Sequence, residues 1–308
     1  MSTLIRKLDG SQAVTARRML SAVWIFLSLL LFARPLRDLV QLSLSNEDIS
    51  YVVVIPLLAA GLLFLERSRI PQTHAYDKVS GSLFLVPAGF VALLAHSSLA
   101  ASIDHLRLSG YILSLVLVWI AGFALLYGKT ALEVARFPLV FLFLTVPLPD
   151  FLLGRVVYVL QAGSAWITGA FFDLLKIPFL REDFVFHLTR VDIEVAKECS
   201  GIRSSMALLI LALLIAHFQL KSWTAKATFV VWGLFVMILK NGIRIATLTL
   251  LAMYVDPSFL FGRLHQQGGV VFFLIGLSLL LPMLALLRRG ESWWRARQTP
   301  QISPESTP

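Results

Sequence analysis

"RVVYVLQAGSAWITGAFFDLLK" runs from Arg155 to Lys176, and its reading decides the fold of this chain. The stretch is long enough to cross a bilayer, which takes about 20 predominantly apolar residues. Yet Gln161, Ser164, Thr168 and Asp173 stand among its aromatic and aliphatic side chains. Three readings fit: a crossing helix, a re-entrant piece, or a helix lying in the interface. The choice sets the membrane face of everything that follows, because each crossing reverses the chain.

The surroundings are those of a membrane protein. Of 308 residues, 57% are hydrophobic and only 15% charged, with a mean hydropathy of +0.80. A soluble domain cannot cover that much apolar surface, so a polytopic membrane protein is expected. The net charge of +9 does not call for nucleic acid, since such chains keep Lys and Arg in cytoplasmic loops. No internal repeat and no zinc-type Cys/His spacing is visible.

Apolar runs near residues 19–33, 49–65, 79–103, 108–127, 131–146, 204–218, 223–254 and 268–287 are the candidate spans. The first follows Arg6, Lys7, Arg17 and Arg18 as a signal peptide would. It lacks a small-x-small cleavage site, and further spans follow, so it reads as an uncleaved span.

Charge placement arbitrates for Arg155–Lys176. If it does not cross, eight spans put both termini on one side, with Arg67, Arg69, Lys78, Lys129, Arg136, Lys221 and the terminal arginines. The opposite short loops then hold only Arg34, Arg37, Arg107 and Arg263. If it crosses, the basic C-terminal end moves outside, against the positive-inside rule. The expected fold is therefore all-α and polytopic, with about eight transmembrane helices and both termini cytoplasmic. Residues 148–203 then lie on the outer face as an amphipathic helix and a small cap, because "FVFHLTRVDIEVAKE" alternates like a hairpin. Residues 1–289 form one membrane domain, and 290–308 an interfacial Trp pair and a disordered tail.

In that topology the only cysteine, Cys199, stands on the outer side at the mouth of a helix beginning near Ser200–Gly201. A lone cysteine cannot form an intramolecular disulfide, so it is a free thiol. The helix dipole, Lys197 and Arg203 favour the thiolate, and Glu198 opposes it. The same position also suits an inert, small buried residue. Two further sites bear on the choice. "VMILKNGIRIATL" sets Lys240, Asn241 and Arg244 in an apolar run, where a charge at the bilayer centre costs at least ~2.5 kcal/mol. About 20 residues of rise from Trp223 bring Asn241–Arg244 to the outer boundary. In "FGRLHQQGG", His265 precedes the last span on the same face. A thiol, a guanidinium and an imidazole on one face are what cysteine acyl transfer requires.

"ECSGIRSS", "NGIRI" and "LHQQGG", in that order, resemble the exosortase/archaeosortase family of integral membrane transpeptidases. The resemblance extends from the early spans through "FLTVPLPDFLLGRVV" to the last helix, and its most specific part is C-S-G-I-R-S. It implies Cys199 as nucleophile, Arg244 as the arginine of an N-x-x-R motif and His265 as the third catalytic group. Ser200, Gly201, Arg203 and Asn241 then stand in supporting positions. It also implies a bacterial plasma-membrane enzyme, and nothing in the sequence points to a metal or an organic cofactor. Its partners would be exported proteins tethered by a C-terminal signal: a motif such as Pro-Glu-Pro, a transmembrane helix and a basic cluster. Cleavage at the motif would pass the new carboxyl end to an unknown surface acceptor, with membrane lipids as the surroundings.

Other classes remain to be weighed. A small-molecule transporter predicts paired mid-membrane charges and matching broken helices, whereas the polar residues here gather at one face. A non-catalytic component of surface polysaccharide or protein export shares the topology but would tolerate Cys199→Ser. A zinc protease would need H-E-x-x-H, which is absent.

Overall fold

The computed structural model describes residues 10–71, 76–103, 105–196, 202–260 and 269–298. The chain divides into two compact units, Met1–Gly154 and Arg155–Pro308.

The first unit is helical. α1 (Gly10–Leu31) and α2 (Ala33–Ser45) lead through a 3-10 turn, Glu47–Val53, into α3 (Ile55–Glu66). α4 (Lys78–His96) starts at an Asp77 N-cap whose carboxylate accepts from the Ser80 N–H at 2.9 Å. That bond satisfies one of the orphan donors of the first turn. α5 (Leu106–Val134) packs along α4, where the Ser114 hydroxyl donates to the Ala88 carbonyl at 2.9 Å. Two indoles fasten α1 to α5: Trp24 Nε1 donates to Val118 O at 3.0 Å and Trp119 Nε1 to Ser28 Oγ at 2.8 Å. At Gly128 the backbone turns to φ 80°, a region that favours glycine, and α5 kinks there.

Beyond the kink the expected fifth span, 131–146, is interrupted. α6 (Arg136–Phe141) continues only into a 3-10 turn, Leu142–Thr145, shorter than a bilayer crossing requires. Gly128, Pro138, Pro147 and Pro149 punctuate a run that hydropathy alone reads as continuous. His105, at the start of α5, lies 2.7 Å from Asp150, which opens α7 (Asp150–Leu174). The intervening chain therefore leaves one end of this unit and returns to it.

In the second unit α7 runs unbroken over the stretch that decides the fold. It ends at Leu174; Lys176 takes φ 56°, and Ile177 N donates back to Phe172 O at 2.9 Å. This is the six-to-one closure of a Schellman cap. A three-stranded antiparallel sheet follows: β1 (Phe179–Glu182), β2 (Val185–Leu188) and β3 (Asp192–Glu194). Phe186 pairs with Ile193, and both side chains point inward while their neighbours do not. The hairpin expected from the alternation is thus present. β1 escaped that reading because it is a largely exposed edge with no alternation. The inner face packs with Phe172, Ile245, Ala246 and Met253, and the rings of Phe172, Phe179 and Phe186 stand 5.5–5.6 Å apart.

α8 (Ile202–Gln219), α9 (Trp223–Tyr254) and α10 (Gly269–Gln298) complete the unit. The tail expected to be disordered from residue 290 is helical through Gln298. The Glu291 carboxylate accepts from the backbone N–H groups of Lys221 (3.0 Å) and Ser222 (2.7 Å), so this turn is tied to the start of α9.

Eight helices among the described residues are long and apolar enough to cross a membrane. The count matches the expectation, but its membership differs: Asp150–Leu174 qualifies and residues 131–146 do not. The protein is an all-α polytopic membrane protein carrying one small sheet.

Candidate functional site

The described part of the site is built on three helices, α7, α8 and α9. Lys240, Asn241 and Arg244 share one face of α9, since residues three and four apart are neighbours on a helix. Lys240 and Asn241 are each 1% exposed, and Arg244 is half-buried. A buried ammonium or amide in such surroundings requires polar partners.

Those partners come from the other two helices. Lys240 Nζ donates to the hydroxyl of Ser204, in the first turn of α8. Asn241 Nδ2 donates to Ser164 Oγ at 3.0 Å. The Thr168 hydroxyl reaches Ser164 O at 2.8 Å and Gly242 O at 3.3 Å. Gln161, Ser164 and Thr168 are buried, so three of the four polar residues that made Arg155–Lys176 ambiguous face protein, while Asp173 at the end of α7 is exposed. Gln161 Nε2 donates to the carbonyl of Val195, just ahead of the Cys199 segment.

Two glycines permit this approach. A Cβ on Gly242 would stand 2.3 Å from Ile167 Cγ2 and 3.2 Å from Ser164 O. On Gly163 it would stand 2.7 Å from Ile238 Cγ2. Real side chains do not come that close, so α7 and α9 meet backbone to backbone and Asn241 can reach Ser164.

Of the residues singled out in the sequence, Cys199, Ser200, Gly201 and His265 lie outside the described residues. Arg203 is exposed on α8 and Arg244 half-buried on α9, which separates two arginines that look alike in the sequence. Asn241 proves to be an inter-helix strut. Ser204 was not singled out as a partner, and no local signal marks it. Lys240 was visible only as a charge needing an explanation. Among the described residues no group of three His, Cys, Asp or Glu side chains is gathered as a metal site would require.

The arrangement supplies two cations, Lys240 and Arg244, on a helix face hydrogen-bonded to the opening turn of the helix that follows Cys199. Its chemical capacity is to hold negative charge near that turn.

No curated protein and no solved structure matches the chain. A family model described as transmembrane exosortase matches residues 41–282. That interval takes in α7, the sheet, α8, α9 and the motifs around Cys199, Arg244 and His265. The chain belongs to the transmembrane exosortase family.

Proposed function

We propose that this protein is a cysteine transpeptidase that cleaves C-terminal sorting signals of exported, membrane-tethered proteins. The supporting observation is the bond from Lys240 to Ser204. It ties the helix face bearing Arg244 to the first turn after Cys199, as expected if thiol and guanidinium serve one reaction.

In this reading the Cys199 thiolate attacks the carbonyl carbon of the scissile peptide. The oxyanion develops within reach of Arg244, whose fixed charge lowers its energy. His265 delivers a proton to the departing amine, and the C–N bond breaks to leave a thioester on Cys199. An acceptor amine, hydroxyl or water, deprotonated by His265, then attacks the thioester. It takes the acyl group and returns the thiolate. A substrate held by its own transmembrane helix arrives at high effective concentration, which substitutes for much of the binding energy a soluble protease would need.

The site is assigned to the outer face of a bacterial plasma membrane, with both termini cytoplasmic. The positive-inside distribution supports this assignment.

The test is co-expression of a protein bearing a tripartite C-terminal signal with wild-type enzyme and with Cys199→Ala, following substrate size by blotting. Processing by wild type alone, at equal membrane levels, supports the proposal. Processing that persists without the thiol rejects it and leaves a scaffold acting beside another enzyme.

A further inference from the structure

The first unit contains a crevice that the proposed reaction does not use. It has a volume of about 960 Å³ and lies among α1, α3, α5 and α6. That is at the upper end of ligand-sized pockets, roughly 300–1,000 Å³.

Its chemistry is graded from one end to the other. Arg18 and Arg67 line the mouth, and both are exposed. Arg67 lies over the Phe64 ring at 3.6 Å, a stacking that holds the guanidinium in place. The adjacent carboxylate residue, Glu66, is only 8% exposed and is not part of the lining. At the same end the Ser21 and Tyr127 hydroxyls lie 3.1 Å apart. Farther in, the walls are Trp24, Trp119, Pro56 and aliphatic side chains. Both indole N–H groups are spent on Val118 O and Ser28 Oγ, so the rings line the crevice with apolar surface.

Length separates the candidate occupants. Pro56 and Arg67 mark opposite ends of the lining on one helix, about 16 Å apart at ~1.5 Å per residue. One leaflet's share of a ~30 Å hydrocarbon core is about 15 Å. The crevice therefore matches an acyl chain in a single leaflet, whereas a transmembrane peptide would need the full thickness. The arginines at its mouth would also repel a helix that ends in a basic cluster, and they suit an anionic headgroup.

We propose that this crevice is a binding site for one anionic phospholipid. Its acyl portion lies along Trp24, Trp119 and Pro56, and its phosphate is held by Arg18 and Arg67. The lipid fills a groove that would otherwise stand open between α1 and α3.

The experiment uses the full chain in phosphatidylcholine nanodiscs. These carry a trace of either phosphatidylglycerol or phosphatidylcholine with a photoreactive acyl chain, and labelled peptides are mapped by mass spectrometry. Phosphatidylglycerol should label α1, α3 and α5 peptides on the order of tenfold more than phosphatidylcholine, given two arginines at the headgroup. The double variant Arg18→Gln/Arg67→Gln should bring that labelling down to the phosphatidylcholine level. Ala60→Trp, which fills the crevice from an exposed lining position and keeps both arginines, should lower it as well. Size-exclusion profiles establish that each variant is folded. Equal labelling by the two probes in wild type overturns the proposal. So does phosphatidylglycerol labelling that survives both variants. Displacement of the label by a peptide carrying a sorting-signal helix also overturns it, and assigns the crevice to substrate.

Discussion

Lys240 on α9 donates its ammonium proton to the hydroxyl of Ser204 on α8, and the donor is 1% exposed. The bond brings together the turn that precedes Arg244 and the turn that follows Cys199. An ammonium so enclosed is costly to strand, and its loss is cheaper than its isolation. Ser204→Ala, which removes this acceptor, should lower stability by about 1–3 kcal/mol. Lys240→Met keeps the stem without the charge and should cost less. The double variant should be more stable than Ser204→Ala alone. Thermal unfolding in detergent reads all three, and a double variant less stable than Ser204→Ala contradicts the pairing.

Gly242 is the tightest point between α7 and α9, where an added methyl would meet Ile167 at 2.3 Å. Gly242→Ala should destabilise by about 1–3 kcal/mol through overpacking. It should also reduce processing, by moving Asn241 off Ser164. Gly154, also helical, has nothing within 4 Å of an added Cβ. Gly154→Ala should be neutral or stabilising by about 0.5–1 kcal/mol. Unfolding midpoints and the blot-based processing assay on the same preparations separate the two outcomes.

Arg203 and Arg244 differ in exposure, and an exposed arginine at a helix end has an ordinary role as a headgroup anchor. Arg244→Lys replaces a planar, forked cation with a point charge and should abolish processing. Arg203→Lys should retain a substantial part. Equal residual activity in the two variants would count against Arg244 as the oxyanion partner.

Asp77 caps α4, and its carboxyl is held below the ordinary 3.8, first by the Ser80 hydroxyl and then by the Ser80 N–H. A folded-state value below the unfolded one stabilises above the unfolded value, and that gain is lost as pH falls through the folded one. Asp77→Ala should therefore lower the unfolding temperature at pH 7. The gap from wild type should narrow as the pH is brought below 4. A gap independent of pH would mean that the carboxylate's charge is not what stabilises the cap.

Much of this architecture was legible because its causes are local. Apolar runs of membrane length marked seven of the eight long helices, and the alternation from Phe184 to Val195 marked a hairpin. The fifth run, 131–146, misled because averaged hydropathy outweighed Gly128, Pro138, Pro147 and Pro149. Gly128 takes a positive φ that kinks the helix, and Pro147 and Pro149 lack the N–H needed to extend it. The helical tail escaped because Glu291 reaches the backbone at Lys221 and Ser222, a long-range bond that composition does not encode.

By itself the sequence determined the membrane class, the approximate number of helices and the motifs around Cys199, Arg244 and His265. Hydropathy, charge bias and short motifs are properties of neighbouring residues. Only the tertiary structure decided that Ser164 and Thr168 face Asn241 and Gly242, that Lys240 answers Ser204, and that Arg244 rather than Arg203 is half-buried. Each of these depends on two helices meeting where glycine lets them approach, and the energy of a buried polar group is set by what the other helix brings.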